Sequence, residues 1–149
     1  MKIGLLTIHN TQNYGSLLQT YSTYKALHEL GLDIDLIDYR NDAITRREKP
    51  NDLVESISVK QIVKYFIWGN AQKKKYNSIM QFLKENTSMS PEYDKTSIVN
   101  ANKVYEGFIV GSDIVWGTNI TGRDMTYFLD FTSDDKKRYS FSSSIGTKW

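Results

Sequence analysis

Three short polar stretches, each placed after an apolar run, carry the side chains that could do chemistry in this 149-residue chain. The first is His9-Asn10-Thr11-Gln12-Asn13-Tyr14-Gly15-Ser16-Leu17-Leu18-Gln19, which follows Ile3 to Ile8 and leads into a helical pattern. Amides, one glycine and a serine at the start of a helix suit an anion or a polar ligand, because free backbone N–H groups point out there. The same residues also suit a plain capped helix, with Asn13 or Ser16 accepting from those N–H groups. Gly15 is the one glycine of the stretch, so the glycine spacing of a dinucleotide fingerprint or a phosphate loop is absent. The second stretch, Gly111-Ser112-Asp113, closes the strand-like run Phe108-Ile109-Val110. It puts a hydroxyl and a carboxylate at the carboxyl edge of a sheet, where ligands of open α/β sheets bind. Asp113 can accept from sugar hydroxyls or act as a general base; the alternative is a cap on the next turn. Trp116 either stacks on a sugar ring or packs in the core. The third stretch, Ser140 to Gly146, ends in Ser144-Ile145-Gly146, small enough for close ligand approach or for tight cover by a helix.

The elements that must carry these stretches follow from periodicity. Lys2 to His9 is continuously apolar and predicts a buried parallel strand. Leu17, Tyr21, Tyr24, Leu27 and Leu30 recur at helical spacing, and Gly31 stands at a left-handed helix stop. Asp33 to Tyr39 predicts a second strand, completing a βαβ unit with a parallel sheet. Asn41 to Asp52 reads as a polar loop, Ile57 to Trp68 as a helix, and Tyr76, Met80 and Leu83 as a further helix ending near Asn86. Ser88 to Asp94, with Pro91, reads as a turn, and Ser97 as the cap of a short helix through Asn102. Val104 to Val110 and Arg138 to Ser144 predict two more strands. No repeat, low-complexity segment or linker divides the chain. A strand has just ended three residues before Trp149, and the expectation is one half of a larger α/β protein.

Composition narrows the function classes. The chain contains no cysteine, which excludes disulfides, thiol catalysis and zinc-thiolate sites and fits a reducing, cytoplasmic setting. Histidines number two, His9 and His28, so no histidine-based metal site is expected. His9 ends a strand beside the first polar stretch and serves either a structural hydrogen bond or the ligand; His28 lies on the outer face of a helix. Net charge is +2, which argues for neither nucleic acid nor a membrane surface. Arg46-Arg47 and Lys73-Lys74-Lys75 read as solvated faces. The apolar start is too short for a signal peptide, and no run approaches a membrane span.

Taken together, five segments resemble the polysaccharide pyruvyl transferase family. They are Ile8-His9-Asn10 with Asn13-Tyr14-Gly15-Ser16-Leu17-Leu18-Gln19-Thr20-Tyr21; Ile37-Asp38-Tyr39-Arg40; Phe108-Ile109-Val110-Gly111-Ser112-Asp113 with Val115-Trp116; Tyr127-Phe128-Leu129-Asp130-Phe131; and Arg138 to Gly146, which is similar to a K-R-x-x-Y-A-A-S-F-G segment. Asn41 to Lys103 carries no matching motif. Where the family usually has Gln, Asn and Phe, this chain has Ile114, Gly117 and Ile145. The resemblance implies an α/β, Rossmann-like three-layer domain with a mainly parallel sheet, like one half of a GT-B fold. It implies a bacterial enzyme of cell-surface polysaccharide biosynthesis that transfers pyruvyl from phosphoenolpyruvate to two sugar hydroxyls as a ketal. Asp113 would then hold the chemical role. His9, Asn10, Asn13, Tyr14, Gly15, Ser16, Gln19, Gly111, Ser112, Trp116, Ser144 and Gly146 would bind substrate. The acceptor would be a sugar or a nucleotide- or lipid-linked saccharide. No cofactor or metal is expected, and phosphoenolpyruvate would be bound mainly by a C-terminal domain outside these residues. Two other readings share the features: half of a GT-B glycosyltransferase using a nucleotide sugar, and a non-catalytic sugar- or nucleotide-binding module.

Phosphoenolpyruvate carries a phosphate and a carboxylate and needs arginine or lysine clamps, of which the matched segments hold no cluster. The purified 149-residue chain is therefore expected to form no pyruvate ketal from phosphoenolpyruvate and an acceptor. Detectable transfer by this chain alone would overturn that expectation.

Overall fold

The computed structural model describes residues 1–48 and 69–146. Strand β1 (Lys2–Leu6) leads to helix α1 (Tyr14–Glu29), β2 (Asp33–Tyr39), α2 (Asp42–Glu48), α3 (Asn70–Asn86) and β3 (Met89–Tyr93). A 3₁₀ helix (Ile98–Lys103), β4 (Gly107–Val110), α4 (Thr118–Thr121), a second 3₁₀ helix (Met125–Phe128) and β5 (Lys137–Ser140) complete the order. The five strands form one sheet in the order β3-β2-β1-β4-β5, with every neighbouring pair parallel. Helices flank the sheet, so the architecture is a Rossmann-like three-layer α/β fold.

Two apolar layers hold the sheet. On one face Ile3, Leu5, Ile34, Leu36 and Ile109 pack under Leu17, Tyr24 and Leu27 of α1 and Ile79 and Leu83 of α3. On the other, Leu6, Ile37, Tyr39, Phe108 and Val110 pack with Ile44, Ile98, Ala101, Tyr105, Val115 and Tyr127. The two clusters take alternate residues of β4, as a strand covered on both faces requires.

Several expectations are corrected. β1 ends at Leu6, not His9, because beyond it side chains replace the ladder: the Ser16 hydroxyl donates to the Ile8 carbonyl, and His9 turns to Asp38. Residues 42–48 are helical, not loop; Asn41 caps the helix, its Oδ1 accepting from Ile44 N–H at 2.9 Å. Ser88 to Asp94 is largely strand, and Pro91 is tolerated because β3 is at the sheet edge. Ser97 makes no side-chain cap; Asp94 instead accepts from the Thr96 and Ser97 N–H groups. β4 starts at Gly107, since the N–H groups of Val104 and Tyr105 are still bonded to Ala101 of the 3₁₀ helix. β5 runs from Lys137 and stops at Ser140, before Ser142 adopts a φ of +51°. The expected helix over residues 57–68 lies outside the described residues. α1, β2 and the end of α3 at Asn86 fall where periodicity puts them, and Gly31 is left-handed with φ +82°.

Leu5 is wholly buried on the central strand and faces both covering helices. Leu5→Ala should cost about 2–5 kcal/mol in urea unfolding. A loss under about 1 kcal/mol would mean that β1 is not the centre of the packing.

Candidate functional site

The strand order reverses between β1 and β4: the chain builds outward from β1 through β2 to β3, and then outward from β4 to β5. Loops leaving the carboxyl ends of β1 and β4 run in opposite directions and leave a crevice between them, the usual ligand position in open parallel sheets. An open cleft of about 460 Å³ lies there. Ile8, Ile114 and Ile120 supply its apolar lining. Thr11, Asn13, Gly15, Ser16 and Gln19 come from the β1–α1 loop and α1, Ser112 and Asp113 from the end of β4, and Arg47 and Glu48 from the end of α2.

Local hydrogen bonds set each wall. Asn13 is the N-cap of α1, its Oδ1 accepting from Gly15 N–H at 2.7 Å. The loop before it is tied to α2 by Gln12, whose Nε2 donates to the Glu48 carbonyl at 2.7 Å, and by Asn10, whose Nδ2 donates to Thr45 Oγ1 at 3.3 Å. α2 is tied in turn to the β4–β5 segment by Asn41, whose Nδ2 donates to Asp124 Oδ2 at 2.7 Å. The Tyr39 hydroxyl donates to the same carboxylate. Gln19 Oε1 lies 3.5 Å from the Ser112 hydroxyl, joining the α1 wall to the β4 wall. Asp113 is exposed at the mouth, and its Oδ1 accepts from the Ser144 hydroxyl at 2.6 Å.

Of the residues expected to meet substrate, the structure gathers Asn13, Gly15, Ser16, Gln19, Ser112 and Asp113 on the cleft lining. Ser144 stands directly behind Asp113. Gly146 has φ +72° beside Ile114. Gly111 is structural in position: its N–H donates to the Leu6 carbonyl, and a Cβ there would meet the Phe141 carbonyl at 2.9 Å. His9 and Asn10 are buried beneath the loop, off the lining. Tyr14 points outward under the Lys75 ammonium, 4.5 Å from its ring centroid. Trp116 takes the core alternative: its indole N–H donates to the Tyr127 carbonyl at 2.9 Å and its ring stacks on Phe128. Arg46 and Arg47 are both exposed, as the solvated-face reading has it, and Arg47 also borders the open cleft. Arg47 and Glu48 were legible only through α2, whose signal is the Asn41 cap ahead of Asp42.

Under the β1–α1 loop, His9 Nε2 lies 3.0 Å from Asp38 Oδ1 at the end of β2. Arg40 Nη2 donates to Asp38 Oδ2 at 2.9 Å, its Nε makes a close ion pair at 2.8 Å to Oδ1, and its Nη1 donates to the Tyr76 hydroxyl of α3. Burial pushes the Asp38 carboxyl up, yet the hydrogen bond to His9 and the charge of Arg40 outweigh it and hold it below 3.8. The same balance lowers Asp35, opposed by burial but bound to Lys2, Ser88 and Tyr105, and Asp124, bound to Tyr39 and Thr126. Among the described residues no group of three His, Asp or Glu side chains could hold a metal ion.

The fold is that of a Rossmann-like α/β protein, with an open cleft at the carboxyl ends of β1 and β4. The family model described as polysaccharide pyruvyl transferase matches residues 13–149, and the chain belongs to that family. No curated protein and no solved structure matches it. Among the described residues no helix is long and apolar enough to cross a membrane.

Asp35, Asp38 and Asp124 bind protons more weakly folded than unfolded, so the unfolded chain takes up protons first as the pH falls. Their contribution is complete above the unfolded carboxyl range, begins to fall as the pH enters it, and is lost as the pH falls through the lower folded values. The urea midpoint should drop between about pH 5 and pH 3. A midpoint that stays level or rises over that interval would contradict these assignments.

Proposed function

We propose that the chain is the N-terminal, acceptor-side domain of a cytoplasmic pyruvyl transferase that makes a pyruvate ketal on a saccharide. The family match supports the reaction class. The observation that carries the acceptor assignment is the chemistry of the cleft lining: Asn13, Gln19, Thr11, Ser16 and Ser112 are neutral donors and acceptors suited to sugar hydroxyls. Among the described residues Arg47 is the one cation on that lining, and its Nε lies 3.2 Å from Glu48 Oε1 in an ion pair. A phosphate with a carboxylate calls for several free cations, so phosphoenolpyruvate is assigned to basic residues of a C-terminal half.

In this reading Asp113 faces the attacking hydroxyl. Its Oδ1 is occupied by Ser144, and Oδ2 has no hydrogen-bond partner among the described residues, which leaves that oxygen to accept the hydroxyl proton. The sugar oxygen bonds to C2 of the enol as C3 takes up a proton. The C2–O bond to phosphate then breaks, a neighbouring hydroxyl bonds to C2 to close the ketal, and its proton goes to the departing phosphate. Two hydroxyls and one phosphoenolpyruvate thus give one ketal and one inorganic phosphate.

In the protein that carries both halves, Asp113→Ala should reduce ketal formation by about 100-fold or more, with the urea midpoint unchanged. Activity surviving within a few-fold would make Asp113 a structural cap. Turnover with a nucleotide sugar and none with phosphoenolpyruvate would replace the reaction class.

A further inference from the structure

We propose that Ser144 is a positioning residue for the Asp113 carboxylate, held in register by an interlock between Ile114 and Gly146. The inference rests on the chemical role proposed above for Asp113. Three independent features converge on it.

The Ser144 hydroxyl is committed on both sides. It donates to Asp113 Oδ1 at 2.6 Å and accepts from the Ile114 backbone N–H at 2.9 Å. A serine has one proton to donate, so none is left for a substrate. The Trp116 N–H donates to the Ser144 carbonyl at 3.1 Å, so both the main chain and the side chain of Ser144 are bonded to the turn that carries Asp113.

That turn is strained at the next residue. Ile114 has φ +54°, in the left-handed region that a β-branched side chain rarely adopts. Such a conformation persists only where its surroundings over-determine it. Here the opposing loop does so: Gly146 is also left-handed, at φ +72°, and a Cβ there would lie 2.0 Å from Ile114 Cγ2. The isoleucine side chain thus fills the place where any other residue at 146 would put its Cβ.

The geometry has a use. Asp113 is exposed, and an exposed aspartate samples several rotamers. A short charge-assisted hydrogen bond fixes one oxygen and aims the other at the cleft, so that no orientation has to be found during the reaction. Ser144 itself need not touch the substrate.

The first test is made on this chain and needs no turnover. The Asp113 N–Cγ and C′–Cγ couplings, which report χ1, should show a single rotamer in the parent protein and in Ser144→Thr. They should show an averaged one in Ser144→Ala. Gly146→Ala, which keeps the hydroxyl but pushes on Ile114, should average the rotamer as well and stands in if Ser144→Ala does not fold. An unaltered single rotamer in both variants would overturn the proposal. In the protein carrying both halves, Ser144→Ala should lower kcat by at least about tenfold, leave the acceptor KM within about twofold, and be rescued by Ser144→Thr. A raised acceptor KM with kcat unchanged would make Ser144 a ligand and overturn the positioning role. If the parent enzyme makes no ketal, the reaction class fails, while the couplings still decide the clasp.

Discussion

Strand β1 has parallel neighbours on both sides and apolar cover on both faces, with Leu5 and Leu6 fully buried. That double demand forces the chain to build the sheet in two directions from the centre, and the reversal opens a crevice at the carboxyl ends of β1 and β4. The position of the site follows from how the core is satisfied and needs no special device. What remains is to hold the loops that leave those ends, where the backbone ladder has stopped.

Side chains take over from the ladder at that level. Ser16 bonds the Ile8 carbonyl, His9 meets Asp38, and Arg40 ties the same carboxylate to Tyr76 of α3. On the other flank Asn41, Tyr39 and Thr126 gather on Asp124. These buried polar groups cost free energy unless they are paired. Nearly all are, and each pair joins a strand end to a loop or to the next helix. The loops are therefore fixed from below, which leaves their upper side chains free to face a ligand.

The parts of this arrangement legible in the sequence are those set by periodicity and local chemistry. Asp33 to Tyr39, the apolar face of α1, the left-handed Gly31 and the Asn13 cap all rest on neighbouring residues. The parts that were not legible depend on tertiary position. Met89–Tyr93 contains a proline and pairs only because it lies at the sheet edge. Asp42–Glu48 has one buried apolar residue, Ile44, too little for a helical stripe. Missing that helix hid the third wall of the cleft, Arg47 and Glu48. Trp116 was open between ligand and core because no local signal separates the two; the Tyr127 carbonyl and the Phe128 ring decide it. The Ser144–Asp113 bond spans 31 residues, beyond any local pattern.

The central claim is that the crevice between β1 and β4 takes the saccharide and not the phosphorylated donor. It is tested most directly by following the backbone amide resonances of this chain during titration with a methyl hexopyranoside and, separately, with phosphoenolpyruvate. The account predicts that the sugar shifts Asn13, Gly15, Ser16, Gln19, Ser112 and Asp113, and that phosphoenolpyruvate leaves them in place. Shifts of those residues by phosphoenolpyruvate, with none from a panel of hexopyranosides, would contradict it.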